Sequence, residues 1–500
     1  MTAESRPIWN HAVPDIPPLD STAPDVDIIV IGAGIAGLSV ALALIEDGRR
    51  VLVLEKDAIG AGQTGRTSAH LSSALDDRYY DLERWHGADG ARRAARSHSE
   101  AIARVERWSA EYGIDCDFAR IDGYLIGNGS DDARELDREL EATRRAGLAV
   151  ERVDTIPGLA LGPALRFANQ ARFDPRAYIA GLARAIVDRG GTFARVEVVC
   201  VEGGDAPTVR TSGGIELHAA AVVVATNVPF HESVAIHTKQ APYRTFMVGA
   251  RIDAATFPDI LLWDTQDPYH YLRRVTDSAN GDTWLIVGGA DHKTGQPRTK
   301  SPYSEVMEWT RERFPSITAF DWMWSGQVIE PVDGLAFIGP DPGGKENVFI
   351  VTGDSGNGLT HGTIAGDLIA RLIGGREDPW HGLYDPRRKP LLALGTWLAE
   401  NANVAAQYGD WAAPGSVRPL APLEGTVVRQ GVHRLAVSRG IDGELHAFSA
   451  LCPHLGCSVR WNRQERTWDC PCHGSRFDPV DGRVINGPAA RGLDAIDVQR

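Results

Sequence analysis

The chain has 500 residues, 43% of them hydrophobic and 24% charged, and carries a formal net charge of −14 at pH 7. This length exceeds one ordinary hydrophobic core, so we expect two or three domains. The negative charge disfavours nucleic acid and anionic membrane surfaces as partners, and it suits a soluble redox partner or a cationic substrate.

Neither a membrane span nor an export signal is predicted. No apolar run approaches the roughly eighteen residues that a membrane-spanning helix needs. The first twenty-five residues contain proline and aspartate, without a basic segment followed by an apolar one. We therefore expect a soluble protein in the cytoplasm.

The first clear motif is a glycine-rich turn between two apolar strands. Residues 27–31 read as a β-branched strand, Gly32-Ala-Gly34-Ile35-Ala36-Gly37 follows at once, and a helix then leads to a strand ending at Glu55. Gly32 permits the tight turn, Gly34 lets backbone N–H groups approach a pyrophosphate, and Gly37 lets the helix pack closely on the strand. Glu55 is expected to accept hydrogen bonds from the ribose hydroxyls, so this segment predicts dinucleotide binding.

A second loop favours FAD over NAD as that dinucleotide. After Lys56 the chain continues through a stretch rich in glycine and hydroxyl groups, from Gly62 to Ser68. Such a loop can line the ribityl chain and the flavin edge, which an NAD site does not need. Further along, a strand at residues 347–352 runs into a glycine-rich turn and a helix. This turn can aim N–H groups at the flavin pyrimidine ring, although a plain tight turn is an alternative.

The segments between these motifs are expected to hold the substrate. Two amphipathic helices are predicted at 91–112 and 131–146, and strands at 242–249, 260–263, 269–273 and 283–288. Tyr271 and Arg273 share one face of the third strand, because side chains alternate with a period of two. Aromatic rings suit a cationic amine and an arginine suits a carboxylate, so we predict both as substrate contacts. Core packing is the alternative. Asp291 to Thr294 is expected in the turn after Gly288-Gly289, either near the flavin or as an ordinary loop.

The C-terminal part contains two Cys–His pairs. Cys452-Pro-His454-Leu-Gly-Cys457 is followed by Cys470-Pro-Cys472-His473. Two thiolates and two imidazoles match a [2Fe–2S] cluster with Cys on one iron and His on the other, so Cys452, His454, Cys470 and His473 are the predicted ligands. A zinc site is the alternative, but a Cys-x-His pair is atypical of a zinc finger.

Two segments of the chain resemble known families. Residues 8–385 resemble the D-amino-acid oxidase and glycine oxidase family, in the glycine turn with Glu55, Arg172-Phe-Asp-Pro175, Ala194-Arg-Val196-Glu, the strand 221–226, Asp333 to Gly339 and the second glycine turn. Residues 420–500 resemble the Rieske family of cytochrome bc type. That resemblance implies a disulfide between Cys457 and Cys472. It also implies a cluster potential below that of the respiratory members, because Phe477 stands where they have a hydrogen-bonding tyrosine.

The resemblances imply the fold and the cofactor contacts. We expect an α/β and α+β fold: a Rossmann-type FAD-binding domain (27–90, 151–235 and 331–385) and an antiparallel-sheet substrate domain (91–150 and 236–330). An N-terminal arm (1–26), a helix with a proline-rich linker (386–420) and an all-β Rieske domain (421–500) complete the chain. The residues expected to bind FAD are Gly32, Gly34, Ile35, Ala36, Gly37, Glu55, Lys56, Gly62, Thr64, Gly65, Arg66, Thr67, Ser68, Val196, Thr226, Asn227, Gly356, Asn357, Gly358, Leu359 and Thr360.

Three functions are compatible with this sequence. The first is a dehydrogenase that oxidises the C–N bond of an amine or N-methylated amino acid and passes electrons through the cluster to an external protein or quinone. The second is a flavin monooxygenase, since Gly353-Asp354 is superficially similar to their second flavin motif. The third is an electron-transfer or redox-sensing module without its own substrate.

Overall fold

The computed structural model describes residues 5–20, 25–128, 132–231, 234–277, 280–296, 298–409, 419–431 and 433–496. The helices are α1 Ile35–Glu46, α2 Tyr79–Glu111, α3 Ala133–Arg145, α4 Pro175–Asp188, α5 Val234–His237, α6 Pro302–Arg313, α7 Gly358–Ile373, α8 His381–Tyr384 and α9 Leu394–Gln407. The strands of the first 300 residues are β1 Ile28–Ile31, β2 Val51–Glu55, β3 His70–Leu71, β4 Ala119–Ile126, β5 Val150–Val153, β6 Ala164–Arg172, β7 Thr192–Arg195, β8 Val198–Glu202, β9 Thr208–Thr211, β10 Glu216–His218, β11 Ala221–Val224, β12 Gln240–Ile252, β13 Leu261–Asp264, β14 Tyr271–Thr276 and β15 Thr283–Lys293. The remaining strands are β16 Trp322–Pro331, β17 Phe337–Pro340, β18 Val348–Thr352, β19 Gly425–Gln430, β20 His433–Arg439, β21 Leu445–Ser449, β22 Arg460–Asn462, β23 Thr467–Asp469, β24 Arg476–Phe477 and β25 Val484–Asn486.

A six-stranded sheet carries the first glycine turn. Its order is β17-β18-β11-β1-β2-β7, and all neighbours are parallel except β17 with β18. β1 and β11 are fully buried, as expected for a parallel sheet covered on both faces. The chain runs from β1 outward to β2 and returns on the other side at β11. Ligands of open α/β sheets bind at such a switch in strand order.

A larger sheet lies beside the first and is mainly antiparallel. It has nine strands in the order β16-β12-β15-β14-β13-β4-β6-β3, with β5 paired to β6. The four strands predicted between residues 242 and 288 are all present, and β12 and β15 extend further than expected. β5 and β6 also belong to this sheet, although residues 151–235 were expected to lie in the nucleotide-binding domain. The antiparallel pairing of β6 with both β4 and β5 accounts for the difference.

The C-terminal part consists of two small antiparallel sheets around a separate core. The sheets have the orders β19-β20-β21 and β22-β23-β24-β25. Trp468, Phe477 and the four cysteines of the two motifs are buried together between them. α9 lies where the sequence predicted a helix, whereas residues 414–418 of the proline-rich linker predicted at 414–422 lie outside the described residues. Within the described ranges, every helix is too short or too polar to cross a lipid bilayer.

Candidate functional site

One large cavity, of about 700 Å³, lies where the six-stranded sheet, the nine-stranded sheet and the C-terminal part meet. Its first wall is the switch point of the six-stranded sheet with the N-termini of α1 and α7. Its second wall is one face of the nine-stranded sheet, with lining residues on β12, β14 and β15. Its third wall comes from the C-terminal part, with residues 464–467, 476, 478, 479, 484–487, 489 and 490. The cavity is therefore bounded by all three predicted domains.

The glycine turn has the shape that a dinucleotide requires. A side chain at Gly37 would overlap the Gly32 carbonyl oxygen, which explains why α1 can approach β1 only with glycine there. Glu55 Oε2 accepts a hydrogen bond from the Ala33 N–H at 2.8 Å, so its carboxylate is fixed at the end of β2. Thr64 Oγ1 accepts from the Ile35 N–H at 3.1 Å and joins the second loop to the start of α1. These residues fit FAD, because the N-terminus of a helix such as α1 can bind the phosphates of a dinucleotide.

Most of the residues predicted to bind FAD line this one cavity. The lining members are Gly32, Gly34, Ile35, Ala36, Glu55, Lys56, Gly62, Thr64, Arg66, Thr67, Ser68, Val196, Thr226, Asn227, Gly356, Asn357, Gly358 and Leu359. Gly37 and Gly65 instead lie behind the wall, each against a backbone carbonyl oxygen. Thr360 is turned away, and its Oγ1 hydrogen-bonds to His98 Nδ1 at 2.7 Å. The role of each residue in FAD binding stays a prediction.

The second wall is aromatic and acidic. We call it the substrate wall, and it is formed by Asp76, Thr245, Trp263, Tyr269, Tyr271 and Asp291. The Tyr269 hydroxyl donates to Asp76 Oδ2 at 2.7 Å, and the Tyr271 and Thr245 hydroxyls hydrogen-bond to each other at 2.6 Å. The two tyrosine rings lie 5.4 Å apart. The substrate wall thus combines π-faces with carboxylates.

Burial raises the pKa of both carboxyl groups on the substrate wall. It raises the pKa of Asp76 to about 6 and the pKa of Asp291 to about 7. Asp291 Oδ1 is buried and has no hydrogen-bond partner among the described residues. Asp291 was expected in a turn, but β15 continues to Lys293 because it pairs with β12 beyond a bulge between Arg244 and Phe246. The sequence left open whether Asp291 lies near the flavin, and it did not single out Asp76, which lies in the loop between β3 and α2.

Tyr271 and Arg273 do not come together in the cavity. Both lie on β14, and Leu272 between them packs into a different core, so the predicted alternation of faces is present. Tyr271 lines the cavity, whereas Arg273 does not. The Arg273 guanidinium lies over the Trp9 ring, 5.3 Å from its centroid, and donates to the Phe173 carbonyl oxygen at 3.2 Å. Arg273 therefore lies outside the cavity, beneath the N-terminal segment that contains Trp9.

The four predicted cluster ligands are brought together on two neighbouring loops. Cys452 and Cys470 are free buried thiols, and Cys457 and Cys472 form the disulfide that the Rieske resemblance implied. The sulfur atoms of Cys457, Cys470 and Cys472 lie within 4.8 Å of one another, but the disulfide leaves only Cys470 of these three free to bind metal. The His454 and His473 rings are 5.0 Å apart.

This donor set fits a Rieske cluster. Burial lowers the pKa of His454 to about 4, and burial with the neighbouring His454 lowers that of His473 to about 4, so both imidazoles are neutral at pH 7. His473 Nδ1 is buried without a hydrogen-bond partner among the described residues, as expected of an atom that binds iron. Two thiols and two neutral imidazoles are the ligands that such a cluster takes.

The cluster loops are docked against the cavity walls. His237 in α5 is 3% exposed, and its ring packs edge-on against His454 at 4.9 Å and lies 6.1 Å from His473. Gln327 on β16 lines the cavity and donates its Nε2–H to the Gly474 carbonyl oxygen at 2.8 Å. A side chain at Gly474 would overlap both Gln327 Nε2 and Pro242. The second ligand loop therefore touches the same strand that lines the cavity.

A buried charge cluster also joins the C-terminal part to the rest of the chain. Glu465 is within 3.7 Å of Arg66 and 3.5 Å of Arg244, both outside the C-terminal part, and within 3.8 Å of Arg476. The Tyr303 hydroxyl donates to Glu465 Oε1 at 3.0 Å. Burial opposes the charge on Glu465, but the three guanidiniums outweigh it and hold the pKa of this carboxyl at about 2.

Replacing Ser475 with alanine is expected to lower the cluster potential. The pKa of Cys452 lies below its ordinary value chiefly because the Cys470 thiol hydrogen-bonds to it, and the Ser475 hydroxyl is a further donor to the same sulfur. Hydrogen bonds to sulfur raise the potential of such clusters. A redox titration followed by EPR would measure the shift. Ser438→Ala, which removes a buried hydroxyl bonded to the Pro479 carbonyl oxygen, is the control. An unchanged potential in Ser475→Ala would contradict the hydrogen bond to sulfur.

Comparisons with known proteins cover both parts of the chain. The family model described as FAD dependent oxidoreductase (DAO) matches residues 27–372, and the model described as Rieske [2Fe-2S] domain matches residues 410–497. Among curated proteins, the chain is 29% identical over 493 residues to the putative Rieske 2Fe-2S iron-sulfur protein YhfW of Bacillus subtilis, covering 97% of this chain and 96% of that protein. This similarity extends over both parts.

Two further similarities concern the flavin-binding part. Gamma-glutamylputrescine oxidoreductase of Escherichia coli is 25% identical, and the match covers 70% of this chain and 84% of that protein. Among solved structures, glycine oxidase from Geobacillus kaustophilus superposes with a TM-score of 0.60 at 20% identity, covering 73% of this chain and 99% of that chain. At this identity the superposition shows the shared fold.

Proposed function

Because the chain belongs to the FAD dependent oxidoreductase (DAO) family and ends in a Rieske [2Fe-2S] domain, we propose that it is a dehydrogenase of amines or N-methylated amino acids. Its cofactors are FAD and a Rieske cluster, as the sequence predicted. When bound, FAD would supply a hydride acceptor for the carbon beside the nitrogen, and the cluster held by Cys452, His454, Cys470 and His473 would supply a one-electron acceptor. We propose that the electrons pass from the first cofactor to the second within one chain.

The contact between Gln327 and Gly474 supports this route most directly. Gln327 N–H donates to Gln63 Oε1 at 2.6 Å, so the residue is anchored to the loop predicted to line the flavin. Its side-chain amide holds the carbonyl group that follows His473. Both ends of this residue therefore touch predicted cofactor-binding loops. Attaching an electron acceptor to the same chain gives it a high effective concentration.

The third wall of the cavity supports the same arrangement. Lys56, which follows the predicted ribose-binding Glu55, donates its Nζ–H to the Val484 carbonyl oxygen at 2.9 Å. Val484 and Asn486, in the last strand of the Rieske domain, line the cavity directly. We propose that the docked Rieske domain closes the FAD site and limits water there. A closed site would favour transfer to the cluster over reaction with dioxygen.

The imidazole rings of the cluster ligands lie on the side of the Rieske domain that packs against α5. His473 is 8% exposed, and His454 packs on His237, which lies outside the Rieske domain. Leu455, next to His454, is 37% exposed and so is Tyr408, whose hydroxyl donates to the Leu455 carbonyl oxygen at 2.9 Å. We propose that an external one-electron acceptor approaches the cluster from this exposed end, while the imidazole face receives electrons from within.

Anaerobic stopped-flow mixing tests the proposed function. A panel of amines and N-methyl amino acids is screened for bleaching of the flavin absorbance, and the cluster signal is followed by EPR in rapidly frozen samples. We expect the flavin band to bleach first and the cluster to be reduced next, before the flavin reacts with added dioxygen. Faster reaction of the reduced flavin with dioxygen than with the cluster would contradict the proposal. Consumption of NADH or NADPH with hydroxylation of a substrate would indicate a monooxygenase.

A further inference from the structure

We propose that Asp291 and Asp76 bind the substrate as an ammonium ion, and that this substrate is an amine without a carboxylate beside its reacting carbon. This inference rests on the proposed function and names the class of substrate for the same cavity. It would separate this chain from enzymes that recognise amino acids by pairing an arginine with the carboxylate.

The geometry of Asp291 is that of a ligand-binding carboxylate. It lines the cavity from β15, and its Oδ1 is buried without a hydrogen-bond partner among the described residues. A buried acceptor left without a partner is costly, and a bound N–H donor would remove that cost. Asp76 lines the cavity too and is hydrogen-bonded to Tyr269. The Tyr269 and Tyr271 rings on the same wall can add cation–π attraction.

A partner for a substrate carboxylate is missing from the described part of this wall. Arg273, the arginine that the sequence suggested, lies outside the cavity and under Trp9. Arg78 does line the cavity, but its Nε pairs with Glu135 at 3.2 Å and its Nη2 donates to the Asp264 carbonyl oxygen at 3.2 Å. A carboxylate bound between Asp76 and Asp291 would also meet like charge. The wall therefore favours a cation over a zwitterion.

The ionised Asp291 can also act as a proton acceptor. The substrate ammonium must lose one N–H proton before its nitrogen lone pair can assist hydride loss. We assign that proton to the Asp291 carboxylate, which becomes a carboxylic acid. The C–H bond then breaks, its hydride with both electrons goes to FAD, and the nitrogen lone pair forms the iminium double bond. Water hydrolyses the iminium ion to a carbonyl compound and the free amine or ammonia.

Several charges surround Asp291 and set its titration. Burial is the main cause of its raised pKa of about 7. The Thr245 hydroxyl and Arg298 lower this pKa, whereas Asp76 and Asp267 raise it. Tyr269 and Tyr271 face the same carboxylate, and their own pKa values are raised far above the ordinary value by burial, so they stay neutral. Affinity for a cation should therefore increase as the pH rises through about 7.

Tetramethylammonium is the first probe, because it carries charge and no transferable proton. Its binding to the holoprotein is measured by the change in the flavin absorption spectrum between pH 5.5 and pH 8.5. We expect Asp291→Asn to weaken binding by about tenfold or more and to remove most of its pH dependence. Asp291→Glu should retain part of both. Asp282→Asn, which removes a partly exposed carboxylate paired with Arg251, is the charge-matched control.

Matched pairs of compounds then test the substrate class. Putrescine is compared with ornithine, phenethylamine with phenylalanine and dimethylamine with sarcosine, by anaerobic bleaching of the flavin. We expect the amine of a pair to bleach the flavin and the amino acid to fail. Bleaching by amino acids alone would overturn this inference and leave the dehydrogenase proposal standing. If no compound bleaches the flavin while tetramethylammonium binds through Asp291, the cation site stands and the dehydrogenase proposal fails. Equal tetramethylammonium affinity in wild type and Asp291→Asn overturns the inference.

Discussion

Replacing Glu465 with alanine is expected to destabilise the docking of the Rieske domain by about 3 to 5 kcal/mol, the usual cost of breaking a buried ion pair from one side. Arg244 is 1% exposed, and without Glu465 its buried guanidinium would retain the hydrogen bond to Ser325 but no facing carboxylate within 4 Å. Burial already lowers the pKa of Arg244 to about 10. Calorimetry of the holoprotein should show an earlier first transition, and FAD should dissociate more readily.

Two controls separate this effect from a general loss of stability. Glu308→Ala removes a half-exposed glutamate paired with Lys300, and such surface pairs contribute about 1 kcal/mol or less. The double variant Arg244→Ala with Glu465→Ala should be more stable than the Glu465 single variant, because it also removes the buried guanidinium that has lost its carboxylate, while Arg476 keeps its pairing with Asp469. A Glu465 variant no less stable than Glu308→Ala would contradict the role of the charge cluster.

Acid should release the same contact. The pKa of Glu465 is about 2 in the folded protein, against an ordinary value of 4.5. A depressed folded-state pKa means that the stabilisation is complete above pH 4.5 and is lost as the pH falls toward 2. We expect FAD release between these pH values in the wild type, and at a higher pH in Glu465→Gln. FAD fluorescence during acid titration would measure it, and identical curves would contradict the prediction.

The elements closest to a sequence motif were the most predictable. The strand, glycine turn and acidic strand end around Glu55 follow from local backbone demands, and the structure places them as expected. The Cys457–Cys472 disulfide was implied by the resemblance of the two cysteine motifs to the Rieske family, and the structure contains it. In both cases the chemistry restricts which residues can occupy a short segment.

The residues that long-range pairing brings together were not predictable in this way. Asp291 was expected in a turn, but the pairing of β15 with β12 extends the strand and buries the carboxylate in the cavity. Arg273 lies on the predicted face of β14, but Trp9 in the N-terminal segment covers its guanidinium. The docking contacts of Gln327 and Glu465 join segments separated by more than one hundred residues. No periodicity or motif in one segment contains that information.

These contacts assign different roles to different parts of the Rieske domain. Glu465, on the turn between β22 and β23, supplies the electrostatic attachment, whereas Gly474 supplies the close approach beside the ligand His473. Weakening the attachment should affect FAD retention and electron transfer together. Disturbing the contact between Gly474 and Gln327 should affect electron transfer alone. The two kinds of variant can therefore be distinguished by which cofactor responds.

Gln327→Leu is expected to slow electron passage from flavin to cluster by about tenfold to a hundredfold, the range for a small misplacement of reacting groups. Leucine keeps the volume but leaves the Gly474 carbonyl oxygen without its donor, so the loop carrying His473 would shift. Reduction of the flavin by an amine should remain near the wild-type rate, since the substrate wall is unchanged. Anaerobic stopped-flow absorbance for the flavin, combined with EPR of freeze-quenched samples for the cluster, measures the two steps separately.

Gln407→Leu is the matched control for this variant, because it replaces another buried glutamine whose amide donates within its own helix, to the Asn403 carbonyl oxygen. Gly474→Ala should reproduce the Gln327 effect from the other side, since its methyl group would overlap Gln327 Nε2 and Pro242. The EPR spectrum of the resting cluster should be retained in Gln327→Leu, which shows that the ligands are intact. Equal slowing of flavin reduction and cluster reduction would mean that Gln327 maintains the structure of the whole cavity. The proposed route through Gly474 would then be wrong.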